Sequence, residues 1–489
     1  MRPHIILRYV GFILVINAIF LVVSAIISVI YGDAAFRPLL YSASIALFFG
    51  VFPLVFVPPP TEISDNEGLI IVVSGWLLSC LAGTLPYVLW GGEFTFTNAW
   101  FESVSGYTTT GSSILTNIEA LPHGLLFWRA ATHWIGGVGI IMFALAVLPS
   151  MGIASMILFQ TEMSPLAKKN FHQNARSTLR ILMTVYVGLT LAETIALFVS
   201  GMNLFDAVTH SFATIATGGF SPKNTSIAFY DNVGMEIVIL VFMILSGVHF
   251  GLLFSTITKR SAAIWKSTIV RYYLIALTVG VLLTMISTHG VQFARWLDAL
   301  RYSAFQIISI GTSTGFANAD SSVWPAFSQI LLMIFALQCA CAGSTSGGIK
   351  ADRILLFGKA VVKQIRQMRH PNAIIYVWID GESIHDDVLA MGLLYICVYL
   401  VTVLIGAMLL IALGVDALSA FSGVVATTGN VGPGLGSVGS TGSFSHIPAL
   451  GKWILTGTML IGRLEIYGFL TFFLPYVWRT GGVRRRGGT

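Results

Sequence analysis

Five stretches of this chain run without a charged residue for long enough to cross about 30 Å of hydrocarbon: Tyr9–Tyr31, Pro38–Val57, Leu69–Trp90, Trp324–Ile349 and Val388–Val415. In lipid no water can satisfy a bare N–H or C=O, so a crossing segment of this kind has to be helical. Further apolar segments, interrupted by only one or two polar residues, cover about 130–158, 181–200, 236–257, 272–287 and 453–478. The expectation is ten spans. Composition agrees, because 10% charged and 55% apolar residues over 489 positions cannot cover a water-facing surface of ordinary polarity. The first run, at 23 residues, exceeds a signal-peptide core and lacks a small-residue cleavage site, so it is read as a retained helix.

Lys and Arg in short loops resist export and so mark the inner side. They fall before the first span (Arg2, Arg8), after the fourth (Lys168, Lys169, Arg176, Arg180) and after the sixth (Lys259, Arg260, Lys266, Arg271). The densest block is Lys350, Arg353, Lys359, Lys363, Arg366 and Arg369, and Arg484, Arg485 and Arg486 close the chain. Placing all of these inside fits ten spans with both chain ends cytoplasmic. The net charge of +6 is thus a topology signal rather than a sign of nucleic-acid binding. Cys80, Cys339, Cys341 and Cys397 all lie in apolar segments without Cys-x-x-Cys spacing, so they read as buried small hydrophobes.

Against this background four polar stretches stand out: SGYTTTGSSIL from 105, ATIATGGFSP from 213, GTSTGFANAD from 311 and VATTGNVGPG from 425. Their Thr-Gly pairs, Thr110-Gly111, Thr217-Gly218, Thr314-Gly315 and Thr428-Gly429, lie 107, 97 and 114 residues apart. Upstream of each sits an Asn or Asp followed by Ala: Asn98, Asp206, Asp298 and Asp416. These are read as caps of short helices that end at Thr-Gly, the third about one turn longer than the others. Each unit then runs span, outer loop, short helix, Thr-Gly stretch, span, giving repeats over 69–158, 181–257, 272–358 and 388–478. Residues 1–60 stand outside them as two extra N-terminal transmembrane helices.

Non-helical backbone at membrane depth is tolerated only where it is buried in protein or lines a water-filled cavity. Four such segments would gather around one axis. A short helix whose partly negative C-terminal end points inward favours a cation there, and a glycine lets backbone carbonyls face the ion without a side chain intervening. A single Thr-Gly could simply terminate a re-entrant helix, but four at matched positions point to an ion filter.

YTTTGSS with HWIGGVGI from 133, ATGGFSP, STGF with CAGSTSGGIK, and TTGNVGPG together resemble the TrkH-type potassium uptake proteins of the Trk/Ktr/HKT superfamily. The resemblance covers essentially the whole chain. It implies an all-α polytopic membrane protein: a pseudo-fourfold pore of four membrane-pore-membrane repeats in one polypeptide, paired as a homodimer in the bacterial inner membrane. Potassium would be the transported ion, with no organic cofactor in this chain, and a cytosolic ring-forming Trk-type regulator with nucleotide-binding domains would dock on the basic inner loops. Carried over by position, the filter would be Thr109, Thr110 and Gly111; Ala216, Thr217 and Gly218; Ser313, Thr314 and Gly315; and Thr427, Thr428 and Gly429. Only one glycine is shared by all four strands, which predicts coarser selectivity than a filter with several carbonyl rings.

Two inner-span features bear on gating. Within 339–350, Gly343, Gly347 and Gly348 with Ser344, Thr345 and Ser346 lower helix propensity by about 3 kcal/mol relative to alanine. A helix break is expected, either a close crossing through small residues or, as the resemblance implies, an intramembrane loop that opens and closes the pore. Arg463 sits well inside the last span, where a charge must face water or a partner. Glu465, two residues on, points elsewhere on a helix. Arg463 is either paired with another group or, as the resemblance implies, a positive barrier beneath the filter, with Lys350 in the same region. His133, Glu193 and His249 read as packed or hydrogen-bonded within the bundle.

The alternative is a proton- or sodium-coupled secondary transporter, which predicts inverted repeats and membrane-embedded carboxylates. The four units share one orientation and their defining residues are uncharged. An enzyme lacks support, since no His-Glu-x-x-His, Gly-x-Ser-x-Gly or phosphate-loop motif occurs.

Overall fold

Two helices that precede the repeats, Pro3–Tyr31 and Phe36–Phe56, cross where both lack a side chain. A Cβ on Gly11 would sit 2.6 Å from the Gly50 carbonyl oxygen, and one on Gly50 would sit 2.9 Å from that of Gly11. Small residues allow this approach, and dispersion along the shared length holds it in lipid. The pair is tied to the pore through Asn17, which donates to Ser79 Oγ at 3.0 Å and accepts from the Tyr107 hydroxyl at 2.8 Å. A computed structural model describes residues 2–59, 65–147, 175–259 and 263–474.

Each repeat comprises an outer helix, a short pore helix and an inner helix. The outer helices are Asp65–Trp90, Ala175–Val199, Thr268–Thr288 and Asp386–Ala412. The pore helices are Phe96–Tyr107, Leu204–Ile215, Trp296–Gly311 and Ala417–Thr428; the third has 16 residues and the others 12. The first inner helix, His123–Val147, is unbroken over its described length. The other three are interrupted: Val233–Ser246 turns by 103° into Phe250–Lys259, Ala326–Leu337 resumes only at Ala351–Arg369, and Ala449–Arg463 stops before Ile466–Phe472.

All ten expected spans correspond to helical segments, but three of the inner ones are interrupted, one of them at the break expected within 339–350. Among the described residues six helices are long and apolar enough to cross alone, or seven with the bent pair. Apolarity identified the inner segments correctly as membrane-embedded material, but Gly247, Gly343, Gly348 and the left-handed Glu465, at φ 54°, break their helices. Positions 148–158 of the fourth expected span lie outside the described residues, as do Lys168, Lys169, Arg260 and Arg484–Arg486.

The expected helix caps also need correction. Thr95 and Asn203 cap the first two pore helices, accepting from the backbone N–H of Asn98 and Asp206, and only Asp416 caps its own helix, accepting from Ser419 N–H. Asn98, Asp206 and Asp298 sit three residues further in, where an acid or amide still favours the electropositive first turn. Of the cysteines, Cys80, Cys339 and Cys341 are buried, whereas Cys397 is exposed on the fourth outer helix. One antiparallel hairpin, Val377–Ile379 with Glu382–Ile384, is the only strand pair among the described residues. It packs on the base of Ala351–Arg369 through Leu356, Val377 and Ile384.

The caps are unequal, and that is measurable. Asn203→Ala and Asp416→Ala should each lower stability by about 1 kcal/mol, whereas Arg295→Ala, at an N-cap whose side chain bonds nothing in the helix, should not. Thermal unfolding of the detergent-solubilised variants checks this.

Candidate functional site

The four pore helices end in one backbone conformation. The residue just past each helix, Thr108, Ala216, Thr312 or Gly429, still donates four residues back, to Val104, Phe212, Ile308 and Val425. The next, Thr109, Thr217, Ser313 or Asn430, turns left-handed with φ of 51°, 54°, 56° and 52°. The third, Thr110, Gly218, Thr314 or Val431, donates five residues back, to Ser105, Ala213, Ser309 and Ala426 at 2.7–2.9 Å. Then comes a glycine with φ of 85°, 79°, 83° or 101°: Gly111, Gly219, Gly315 and Gly432. Non-glycine residues in the left-handed region are strained by roughly 1–2 kcal/mol each, so a turn repeated four times is held by its surroundings.

These glycines meet one another's strands in cyclic order. A Cβ on Gly111 would strike the Gly218 carbonyl oxygen, one on Gly219 that of Thr314, and one on Gly315 that of Val431; one on Gly432 would lie 2.7 Å from the Thr110 carbonyl oxygen. Four strands thus close into a ring with the carbonyls of Thr110, Gly218, Thr314 and Val431 at matched places. All four glycines line a single cavity of about 360 Å³.

This geometry changes the registration expected from Thr-Gly matching. Gly111 and Gly315 stand where expected, but their counterparts are Gly219 and Gly432, one and three residues beyond Gly218 and Gly429. Gly218 backs onto the His133 ring, and a Cβ on Gly429 would sit 2.6 Å from the Ala336 carbonyl oxygen. Thr427 and Thr428 belong to the last turn of their helix, where Thr427 Oγ1 bonds Gly423 O at 2.9 Å. A second glycine was present in both stretches, in ATGGF and TGNVG, but the recurring Thr-Gly pair masked it.

Glycines on the inner helices let these turns approach. A Cβ on Gly136 would strike the Tyr107 carbonyl, one on Gly462 the Thr428 carbonyl, and one on Gly137 would sit 3.1 Å from Ala216 Cα. His133 stacks on Phe220 with ring centroids 4.1 Å apart, Glu193 is fully buried, and His249 accepts from Gly251 N–H at 2.9 Å, capping the helix after the 103° bend.

Residues 338–350 lie directly against the ends of the pore helices. Cys339 N–H bonds Ile349 O at 2.9 Å and Ile349 N–H bonds Leu337 O at 3.2 Å, closing the loop at its base. Its tip reaches three repeats. Thr345 Oγ1 donates to Ile215 O at 2.9 Å, Gly347 N–H donates to Ser313 Oγ at 3.0 Å, and a Cβ on Gly347 would meet Gly429 O at 2.5 Å. Ser344 and Ser346 share a hydrogen bond of 2.8 Å, Lys350 donates to the Ser346 carbonyl, and Gly343 and Gly348 supply left-handed turns. The loop is also fixed to the bend of the second inner helix by Cys341 N–H to Gly247 O, 3.0 Å, and Phe250 N–H to Gly343 O, 3.2 Å.

Arg463, only 1% exposed, ends its helix at this loop. It donates to Thr345 O at 2.5 Å and Gly136 O at 3.2 Å. Glu465 points away and pairs with Arg353 at 3.1 Å. Thus Gly343–Gly348, Lys350 and Arg463 meet in one place beneath the strands. Sequence reasoning missed Gly219, Val431 and Gly432, and also the buried Glu102–Arg129 pair, 2.7 Å apart behind the first strand.

The TrkH family model, described as a cation transport protein, matches residues 48–478. The Trk system potassium uptake protein TrkH of Escherichia coli K12 is 35% identical over 98% of this chain and 100% of its own length. TrkG of the same strain is 31% identical over 86% of this chain and 87% of its own. The crystal structure of the potassium transporter TrkH from Vibrio parahaemolyticus superposes with a TM-score of 0.89 at 31% identity, covering 98% of this chain and all of that one.

Because a Cβ on Gly347 would also lie 2.6 Å from Asn430 Oδ1, Gly347→Ala should push the loop off the strands. Alkylation of the buried Cys339 by a small maleimide should then rise several-fold over the parent protein, read by mass spectrometry. An unchanged rate would mean that the loop absorbs the methyl group without moving.

Proposed function

The chain belongs to the TrkH family of cation transport proteins, and from that premise we propose that it takes up potassium through a gated, channel-like pore whose selectivity filter is the four-strand ring. The observation that carries this reading is the cyclic closure of Gly111, Gly219, Gly315 and Gly432 on one another's neighbouring carbonyls. Four helix C-termini bring partial negative charge to one axis, and preformed carbonyls replace the hydration shell of a monovalent cation. Thr110, Gly218, Thr314 and Val431 supply the matched oxygens. The single shared ring agrees with moderate rather than strict discrimination.

Below the ring, residues 339–350 act as the gate in this proposal. The tip of the loop is anchored to the pore helices by hydrogen bonds at Ile215 and Ser313, while Cys339, Ala340, Cys341 and Ile349 at its base are packed in the core, so opening means releasing the polar contacts of the tip. Arg463 contributes twice, as a fixed positive charge near the pathway and as a tether on the Thr345 carbonyl. The same proposal has the protein in the bacterial inner membrane with both ends cytoplasmic, paired as a homodimer. A cytosolic nucleotide-binding Trk-type regulator would act from the inner side on Ala351–Arg369, the helix that continues the loop and carries Lys359, Lys363, Arg366 and Arg369.

Reversal potentials in liposomes under separate potassium, sodium and proton gradients test the filter and the coupling together. Serine at Gly111, Gly219, Gly315 or Gly432 should lower the potassium-to-sodium permeability ratio about tenfold, the equivalent of about 1.4 kcal/mol. Parent-like ratios in all four variants would remove the filter reading, and a proton-dependent reversal potential would favour the coupled transporter.

Arg463→Ala and Arg463→Gln should raise potassium flux at an unchanged permeability ratio, since each 1.4 kcal/mol of barrier removed changes a rate about tenfold. Unchanged flux in both would make Arg463 a purely structural tether.

A further inference from the structure

In the pore helices the position nine residues before the ring glycine is filled differently in each repeat: Glu102, His210, Gln306 and Gly423. In every repeat it backs the strand just beyond the glycine. Glu102 accepts from Ser113 Oγ at 2.9 Å and from Ile114 N–H at 3.1 Å. His210 bonds Ser221 Oγ through Nε2 at 3.0 Å while Nδ1 faces Asp206 O at 2.7 Å. Gln306 donates to Ala319 O at 2.9 Å. In the fourth repeat the position carries no side chain and the strand lies against the helix backbone, a Cβ on Gly434 falling 3.1 Å from Gly423 N. Of the three side-chain supports, only Glu102 is a carboxylate.

The first is an ion pair, and it reaches two strands. Arg129, on the first inner helix, donates to Glu102 through Nε at 2.8 Å and Nη2 at 2.7 Å; its Nη1 donates to Ser221 O at 3.3 Å, and its guanidinium lies 3.9 Å from the Phe220 ring centre. Ser113 and Ser221 occupy the same position, two residues past Gly111 and Gly219. Both charges are buried, at 0% and 1% exposure. A buried pair is a weak source of stability, because desolvation offsets the attraction and an apolar replacement of the whole pair is often neutral. Its use is geometric: a planar guanidinium that bonds and stacks at once holds its neighbours at a set distance.

We propose that Glu102 and Arg129 are positioning residues of the filter: the pair sets the spacing between the first and second strands and thereby tunes discrimination among monovalent cations. This rests on the filter reading above. Lysine at 129 keeps the charge opposite Glu102 but cannot bridge to Ser221 O and stack on Phe220 together. Glutamine at 102 still offers an acceptor to Ile114 N–H while removing the charge that orients Arg129.

The test measures potassium-to-sodium and potassium-to-rubidium permeability ratios of the full-length protein in liposomes for Arg129→Lys, Glu102→Gln and Gly219→Ser side by side. Both pair variants should insert, carry potassium, and show a potassium-to-sodium ratio lowered about threefold or more. If Gly219→Ser lowers the ratio while both pair variants keep the parent value, the positioning role is overturned and the filter reading stands. If none of the three changes it, the filter reading fails and the inference fails with it. Should Glu102→Gln fail to insert, Arg129→Lys decides alone; should neither reach the membrane, the pair is a folding element and the positioning role is rejected.

Discussion

Backbone that is not helical cannot sit in hydrocarbon unless its polar groups find partners, and each of the four turns begins to meet that condition within its own repeat, by bonding back to its pore helix. Each leaves its pore helix through a left-handed residue and presents the carbonyl before a glycine to the next strand in the cycle. The lack of a Cβ at Gly111, Gly219 and Gly315 is what lets the strands touch. Much of the surrounding sequence serves the same approach, from Gly136 under Tyr107 to Gly462 under Thr428.

The interruptions of the inner helices form a connected set. The bend at Gly247 accepts from the loop at Cys341, the loop returns a carbonyl to Phe250, and the end of the last inner helix grips Thr345 through Arg463. Each break exposes backbone groups that the next one satisfies. Hydrogen bonds linked in this way support one another, which suits the gate proposed beneath the ring. The connection of the loop to Ser313, itself one of the left-handed residues, joins the proposed gate and the proposed filter through one hydrogen bond.

Sequence patterns carried the architecture well where chemistry and periodicity coincide. Four of the five uncharged runs are long helices and the fifth, Trp324–Ile349, is broken; the other two long helices, Leu179–Val199 and Thr268–Thr288, fall in the segments read as carrying one or two polar residues, and the recurring hydroxyl-glycine stretches mark all four turns. They failed at registration. Thr217-Gly218 and Thr428-Gly429 match Thr110-Gly111 as letters, but the left-handed turn falls on Thr217 and Asn430, and no single residue type marks it. Asn98, Asp206 and Asp298 mark helix starts but sit three residues inside the cap, because an amide or acid suits both the cap and the first turn. Glu102 and Arg129 were invisible for a different reason: 27 residues apart in sequence, they become partners only when the first inner helix packs behind its pore helix.

The proposed function turns on where the ion sits. Crystals of the full-length protein grown in rubidium, with anomalous diffraction recorded at the rubidium edge, locate it directly. A peak on the axis of the ring, within coordination distance of the Thr110, Gly218, Thr314 and Val431 carbonyl oxygens, is the expected result. Well-diffracting crystals with ordered rubidium elsewhere in the pathway and none at that ring would contradict it.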